Sequence, residues 1–97
     1  MLSSKQRSYL KKMSANLPDT LLIGKDGLTE NIIKQAEEQL EARELIKCKI
    51  LQNSMEDLRQ TADTVAAETR AEVVATIGRK FILFRKRPKD SQYTLPV

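Results

Sequence analysis

Residues 21–30, LLIGKDGLTE, constrain this chain more than any other stretch. Leu21, Leu22 and Ile23 run directly into Gly24-Lys25-Asp26-Gly27, and Leu28-Thr29-Glu30 then opens a helical pattern. A strand, a four-residue loop and a helix must follow one another with almost no slack. The chain holds only three glycines, and two of them sit three residues apart in this loop. Glycine accepts positive φ and lets main-chain N–H groups approach a ligand with no Cβ between them. The helix that follows aims its free N–H groups and the positive end of its dipole at the same place. Lys25 adds a cation. These parts suit a phosphodiester backbone. They also suit a plain strand-to-helix turn, and the ten residues alone leave both readings open.

Hydrophobic spacing extends the pattern in both directions. Ser3–Asn16 reads as a helix opened by a Ser3/Gln6 capping box, with Leu2, Tyr9, Leu10, Met13 and Leu17 on one side. Pro18-Asp19 stops it, and Thr20–Ile23 is the first strand. Thr29–Glu44 reads as a second helix capped by Thr29, with Ile32, Ile33, Ala36 and Leu40 inward and Glu37, Glu38, Glu41 and Glu44 exposed. Leu45–Leu51 alternates as a strand, Ile46, Cys48 and Ile50 one way and Lys47 and Lys49 the other. Gln52-Asn53 reads as a turn. Ser54 then caps a third helix that ends near Arg70, with Asp57 in the capping box and Met55, Leu58, Ala62, Val65 and Ala66 as its stripe. Ala71–Ile77 and Phe81–Arg87 read as a hairpin with Gly78-Arg79-Lys80 at its tip, and with Ile77, Phe81 and Phe84 as its bulk. Pro88 closes the last strand. The order α-β-α-β-α-β-β predicts an α/β sandwich with a mixed four-stranded sheet and three helices. Residues 1–88 form the folded domain in this reading, and 89–97 a loose polar tail.

Ninety-seven residues, 40% of them hydrophobic, suffice for one small core. No apolar run is long enough for a membrane span, and the basic start MLSSKQRSYLKK has no apolar stretch behind it to make a secretory signal. The single cysteine, Cys48, lies within an apolar alternation and reads as a small buried hydrophobe in a reducing, cytoplasmic setting. Net charge is +4, but it is unevenly spread: residues 1–27 carry +3, residues 28–72 carry −4 and residues 73–97 carry +5. If the two ends meet in the fold, one face is positive and steers a polyanion toward itself.

Catalytic constellations are not in view. There is no histidine, so zinc sets and Cys–His or Ser–His pairs are excluded. The carboxylates lie at helical spacings on solvated faces, where nothing raises a pKa for acid–base work. GKDG lacks the length and the Lys-Ser/Thr ending of a P-loop, and the GxGxxG of a dinucleotide site. The chain reads as a binder that needs no cofactor.

Four stretches carry a family resemblance: SKQRSYLKKM (4–13), IGKDGLTENII (23–33), ELIKCKIL (44–51) and AETRAEVVATIGRKFILFR (67–85). To about Arg87 the chain resembles the CRM domain family (chloroplast RNA splicing and ribosome maturation), in its stand-alone bacterial, YhbY-like form. The resemblance implies a fold like the C-terminal domain of bacterial translation initiation factor three. It also implies RNA binding without enzyme activity. The family's bacterial members are linked to precursors of the large ribosomal subunit and its plant relatives to intron splicing. Its GxxG loop, compared with that of KH domains, falls on Gly24, Lys25, Asp26 and Gly27. A KH domain itself places a helix immediately before its GxxG, where this chain has Pro18-Asp19 and an apolar strand. Three residues depart from the family pattern. Phe84 stands where a tyrosine is common, Arg70 where a helix-ending glycine is common, and Cys48 where a valine is common.

The expected RNA-facing surface joins the GKDG loop, the first helix and the hairpin. Gly24 and Gly27 admit phosphate, Lys25 and Asp26 lie exposed between them, and Lys5, Arg7, Lys11, Lys12, Arg79, Lys80, Arg85 and Arg87 neutralise further phosphates. Alternation along the last strand puts Arg85 and Arg87 on one side and Lys86 on the other. Aromatic residues are only 4% of the chain, which argues against base-stacking platforms and for structured RNA recognised by shape and backbone. Pre-large-subunit proteins are a further candidate class of partner, and a monomer is the expected state. The competing reading is a protein–protein adaptor that uses the acidic second and third helices.

Overall fold

The computed structural model describes residues 2–52 and 54–97. Its elements are α1 (Ser4–Ser14), β1 (Asp19–Ile23), α2 (Glu30–Arg43), β2 (Leu45–Ile50), α3 (Leu58–Thr69), β3 (Glu72–Ile77) and β4 (Lys80–Phe84). The order matches the expected one. The sheet runs β1-β2-β4-β3. β1 and β2 are parallel, and β4 is antiparallel to both β2 and β3. The crossover through α2 therefore joins neighbours, whereas β4 inserts between the strands that α3 connects.

Two apolar clusters, one per face, hold the layers together. On one face α2 and α3 bury Ala36, Leu40, Ala62 and Val65 against Leu21, Ile23, Ile46, Cys48, Ile50, Phe81 and Leu83. On the other, α1 lays Leu10 over Leu45, Val74, Ile82 and Phe84. The alternation expected in β2 holds: Ile46, Cys48 and Ile50 are buried, and Lys47 and Lys49 are half-buried on the α1 side. Burial pushes the Cys48 thiol far up, with the Asp19 charge adding to it, so the cysteine is a packing residue.

The caps explain where the helices begin. Ser3 and Gln6 form the reciprocal capping box, and Thr29 Oγ1 accepts from the Ile32 N–H at 3.2 Å. The third helix departs from expectation. Ser54 does not cap it; Asp57 does, accepting from the Gln60 N–H at 2.8 Å. The helix therefore starts later than expected, at Leu58, and Met55 is fully exposed instead of joining the stripe. Of the expected Gln52-Asn53 turn, Asn53 lies outside the described residues. β4 also stops earlier than expected, at Phe84, so Arg85–Arg87 do not alternate along a strand. Ile77, read from sequence as part of the hairpin's bulk, is half-exposed.

Arg70 closes α3 with φ +59° and ψ +31°, the left-handed conformation for which glycine is the usual choice. Its N–H donates to the Ala66 and Ala67 carbonyls. A residue with a Cβ there costs about 1–2 kcal/mol. Arg70→Gly is therefore expected to stabilise the fold by about 1 kcal/mol and raise Tm by about 4–8 °C. Thermal unfolding followed by circular dichroism checks this.

Residues 89–97 do not hang free. Ser91 and Gln92 bond to Glu44, the Pro96 carbonyl accepts from Gln6 Nε2 at 3.1 Å, and Tyr93 meets Phe84 edge-on at 5.8 Å. Leu95 packs with it over the α1-side cluster. The segment lacks periodicity because it is a strap laid over other elements.

Candidate nucleic-acid interface

Strand direction sorts the basic residues between the two ends of the sheet. β1 and β2 finish, β3 finishes and β4 begins at one end, which carries the GKDG loop and the hairpin tip. The two are physically linked. The Leu51 N–H donates to the Ile23 carbonyl at 2.9 Å, and the Ile50 N–H to the Arg79 carbonyl at 2.8 Å. The Arg79 guanidinium then clasps this junction, with Nε on the Ile50 carbonyl at 3.0 Å and Nη2 on the Leu51 carbonyl at 2.7 Å. Lys80 follows and pairs with Asp19 at 3.1 Å.

Within the loop, the Gly27 N–H donates to the Gly24 carbonyl at 3.0 Å, closing a turn that leaves Lys25 and Asp26 exposed. The loop and the first turn of α2 line a shallow depression. Gly27 has φ +67° and is buried, and its surroundings differ from the expected open phosphate seat. The Glu56 carboxylate lies against it: a Cβ on Gly27 would overlap Oε1, which also accepts from the Leu28 N–H at 3.3 Å. Gly27 is thus required by backbone conformation and by Glu56. Sequence reasoning missed Glu56, because no local pattern links it to a loop 29 residues away. Gly27→Ala is expected to cost about 1–2 kcal/mol by forcing a Cβ into the left-handed region and displacing Glu56. Urea unfolding measures this loss.

The α1 residues lie on the other side of the sheet from the acidic helices. α1 carries four basic and no acidic side chains, whereas α2 and α3 together carry six acidic and three basic ones. Lys5, Lys11 and Lys12 are exposed. Arg7 is half-buried and donates to the Val73 carbonyl, so it fastens α1 to β3. Of the two basic ends of the sequence, α1 lies across the sheet from the acid-rich α2 and α3, whereas Arg85 and Arg87 of the C-terminal end pair with Glu37, Glu41 and Glu44 on the acidic side.

Arg85 and Arg87 are not brought to this end. Both lie beyond β4 at the opposite end of the sheet and face inward. Arg85 binds Glu37 and Glu41 of α2 and, at 2.9 Å, the Thr69 carbonyl. Arg87 binds the Ala42 carbonyl at 3.3 Å and the Asp90 carbonyl at 2.8 Å, and its Nε lies 3.6 Å from Glu44. The loop, the hairpin tip and α1 remain as the grouped basic set.

Comparison with known proteins places this geometry. The model of the CRS1/YhbY (CRM) domain matches residues 2–85. The chain belongs to the CRM domain family. Among its CRM relatives, the Bacillus subtilis protein named probable RNA-binding protein YqeI is 38% identical over 96 residues, covering 99% of this chain and 100% of its own. A Haemophilus influenzae RNA-binding protein is 34% identical over 95 residues, covering 98% and 95%. The solution structure of a Staphylococcus aureus protein superposes with a TM-score of 0.84 at 40% identity, covering 99% of this chain and all of that one. The CRM fold expected from sequence is the fold observed. Among the described residues no helix is long and apolar enough to cross a membrane.

Proposed function

We propose that this CRM domain binds structured RNA by its backbone and acts in the cytoplasm, as a monomer, on precursors of the large ribosomal subunit. It serves as a binding protein without catalysis of its own. The observation that carries the reading is the clasp of Arg79 on Ile50 and Leu51, which holds the hairpin tip against the strand ends that lead into GKDG. Lys25 and the exposed lysines of α1 supply phosphate contacts, Lys80 stands beside them, and the acidic helices turn any polyanion toward this side. The names of the relatives support RNA as the ligand.

Phosphate contacts position RNA but carry no sequence information. The purified protein is therefore expected to bind ribosomal RNA fragments and unrelated structured RNA of equal length with similar affinity in competition. Strong discrimination would contradict backbone recognition. In cell extracts, co-sedimentation with large-subunit precursors is expected to vanish after nuclease treatment; persistence would favour the adaptor reading.

A further inference from the structure

One row of side chains crosses all four strands just inside the loop end of the sheet. Register pairs Leu22 with Lys49, Lys49 with Lys80, and Lys80 with Ile77. All four point to the α1 side, because their neighbours Leu21, Ile23, Cys48, Ile50 and Phe81 fill the opposite core. α1 does not cover them: Leu22 is 47% exposed, Ile77 50% and the Lys80 side chain 42%. Lys49 and Lys80 stand directly opposite each other, an arrangement of like charges that costs an antiparallel pair stability. Asp19 partly offsets it through Lys80, and no ion pair or side-chain hydrogen bond of Lys49 is found among the described residues.

We propose that this row, Leu22-Lys49-Lys80-Ile77, is a second RNA contact, over which a sugar–phosphate backbone passes on leaving the GKDG loop. This contact rests on the RNA-binding reading above and extends it to a sheet face. Two lysines at one cross-strand position give a phosphodiester a local positive site. The aliphatic side chains at either end give the ribose faces apolar surface that remains wet in the free protein. The row adjoins the hairpin tip through Lys80 and the loop through Leu22, so one strand of RNA can touch loop and row together.

The test measures RNA affinity, salt dependence and stability in parallel, using a fluorescently labelled structured RNA and the full chain. Lys49→Thr is expected to weaken binding about three- to tenfold and to flatten the slope of log affinity against log salt by about 0.7–0.9. It should leave Tm unchanged or slightly raised, since it removes a like-charge pair. Leu22→Thr with Ile77→Thr is expected to weaken binding severalfold without changing the salt slope, because no counterion is involved. Wild-type affinity and slope in Lys49→Thr, alongside a weakened Lys25→Ala control, would overturn the row while leaving the RNA-binding reading intact. No RNA binding by the unmodified protein would overturn both.

Discussion

Replacing Glu44 with alanine is expected to destabilise the fold by about 3–5 kcal/mol, the cost of removing one partner from a buried charge network. Glu44 is fully buried at the end of α2. One carboxylate oxygen accepts from the Arg87 N–H at 3.0 Å and the Ser91 hydroxyl at 2.6 Å, and the other from the Gln92 N–H at 2.6 Å. Its backbone is constrained as tightly as its side chain. φ is +67° with ψ −46°, a region costing about 1–3 kcal/mol that persists only where the surroundings enforce it. Its carbonyl accepts from the Arg85 N–H at 2.9 Å, fixing the exit of β4. Against a total stability of about 5–15 kcal/mol for a domain of this kind, the expected loss is a large fraction. Urea unfolding measures it, and Glu44→Gln, which keeps the shape, is expected to lose about 1.5–3 kcal/mol through the charged hydrogen bonds alone.

The same residue sets an acid limit. Burial pushes the Glu44 carboxyl up, but the Ser91 hydroxyl, the Gln92 and Arg87 N–H groups and the Arg87 charge outweigh it and hold the group below its ordinary value of 4.5. A carboxyl lowered in the folded state binds fewer protons there than when unfolded. Its contribution is therefore complete above pH 4.5 and lost as the pH falls through the lowered folded value. Unfolding free energy in the unmodified protein is expected to drop through that acid window, and Glu44→Gln to flatten the drop. An identical acid profile in both would show that the strap is held by something else.

Much of this architecture was legible because it is local. The Ser3/Gln6 box, the Thr29 cap and the alternation of Ile46, Cys48 and Ile50 each need only a few neighbouring residues, and all appear as expected. The misses are non-local or degenerate. Ser54 and Asp57 are both good caps three residues apart, and their own pattern does not choose between them. In the structure Asp57 caps the helix, and Glu56 lies just outside it with its carboxylate on the Leu28 N–H. The docking of residues 89–97 depends on Glu44, 47 residues before Ser91, so hydropathy along the segment carries no trace of it.

The candidate site follows the same division. Loop, helix and hairpin tip could each be named from sequence, and so could Arg85 and Arg87, which have the same charge. Only the end of β4 at Phe84 and the carboxylates Glu37 and Glu41 separate the last two from the rest. Lys49 shows the reverse: its alternation placed it off the buried face, but its cross-strand partner was not readable.

In the proposed arrangement RNA is held at the loop end and α1, and net positive charge alone is not enough. Two double variants with equal loss of charge test it. Lys12→Ala with Lys25→Ala removes two cations from the proposed surface. Lys86→Ala with Lys89→Ala removes two exposed cations at and beyond the opposite end of the sheet. With about six phosphates neutralised, the unmodified protein should show a slope of log affinity against log salt of roughly −4 to −5 on structured RNA. The first pair is expected to weaken binding about tenfold and to reduce the magnitude of that slope by about 1.4–1.8, while the second leaves both nearly unchanged. Equal losses from the two pairs would contradict this arrangement.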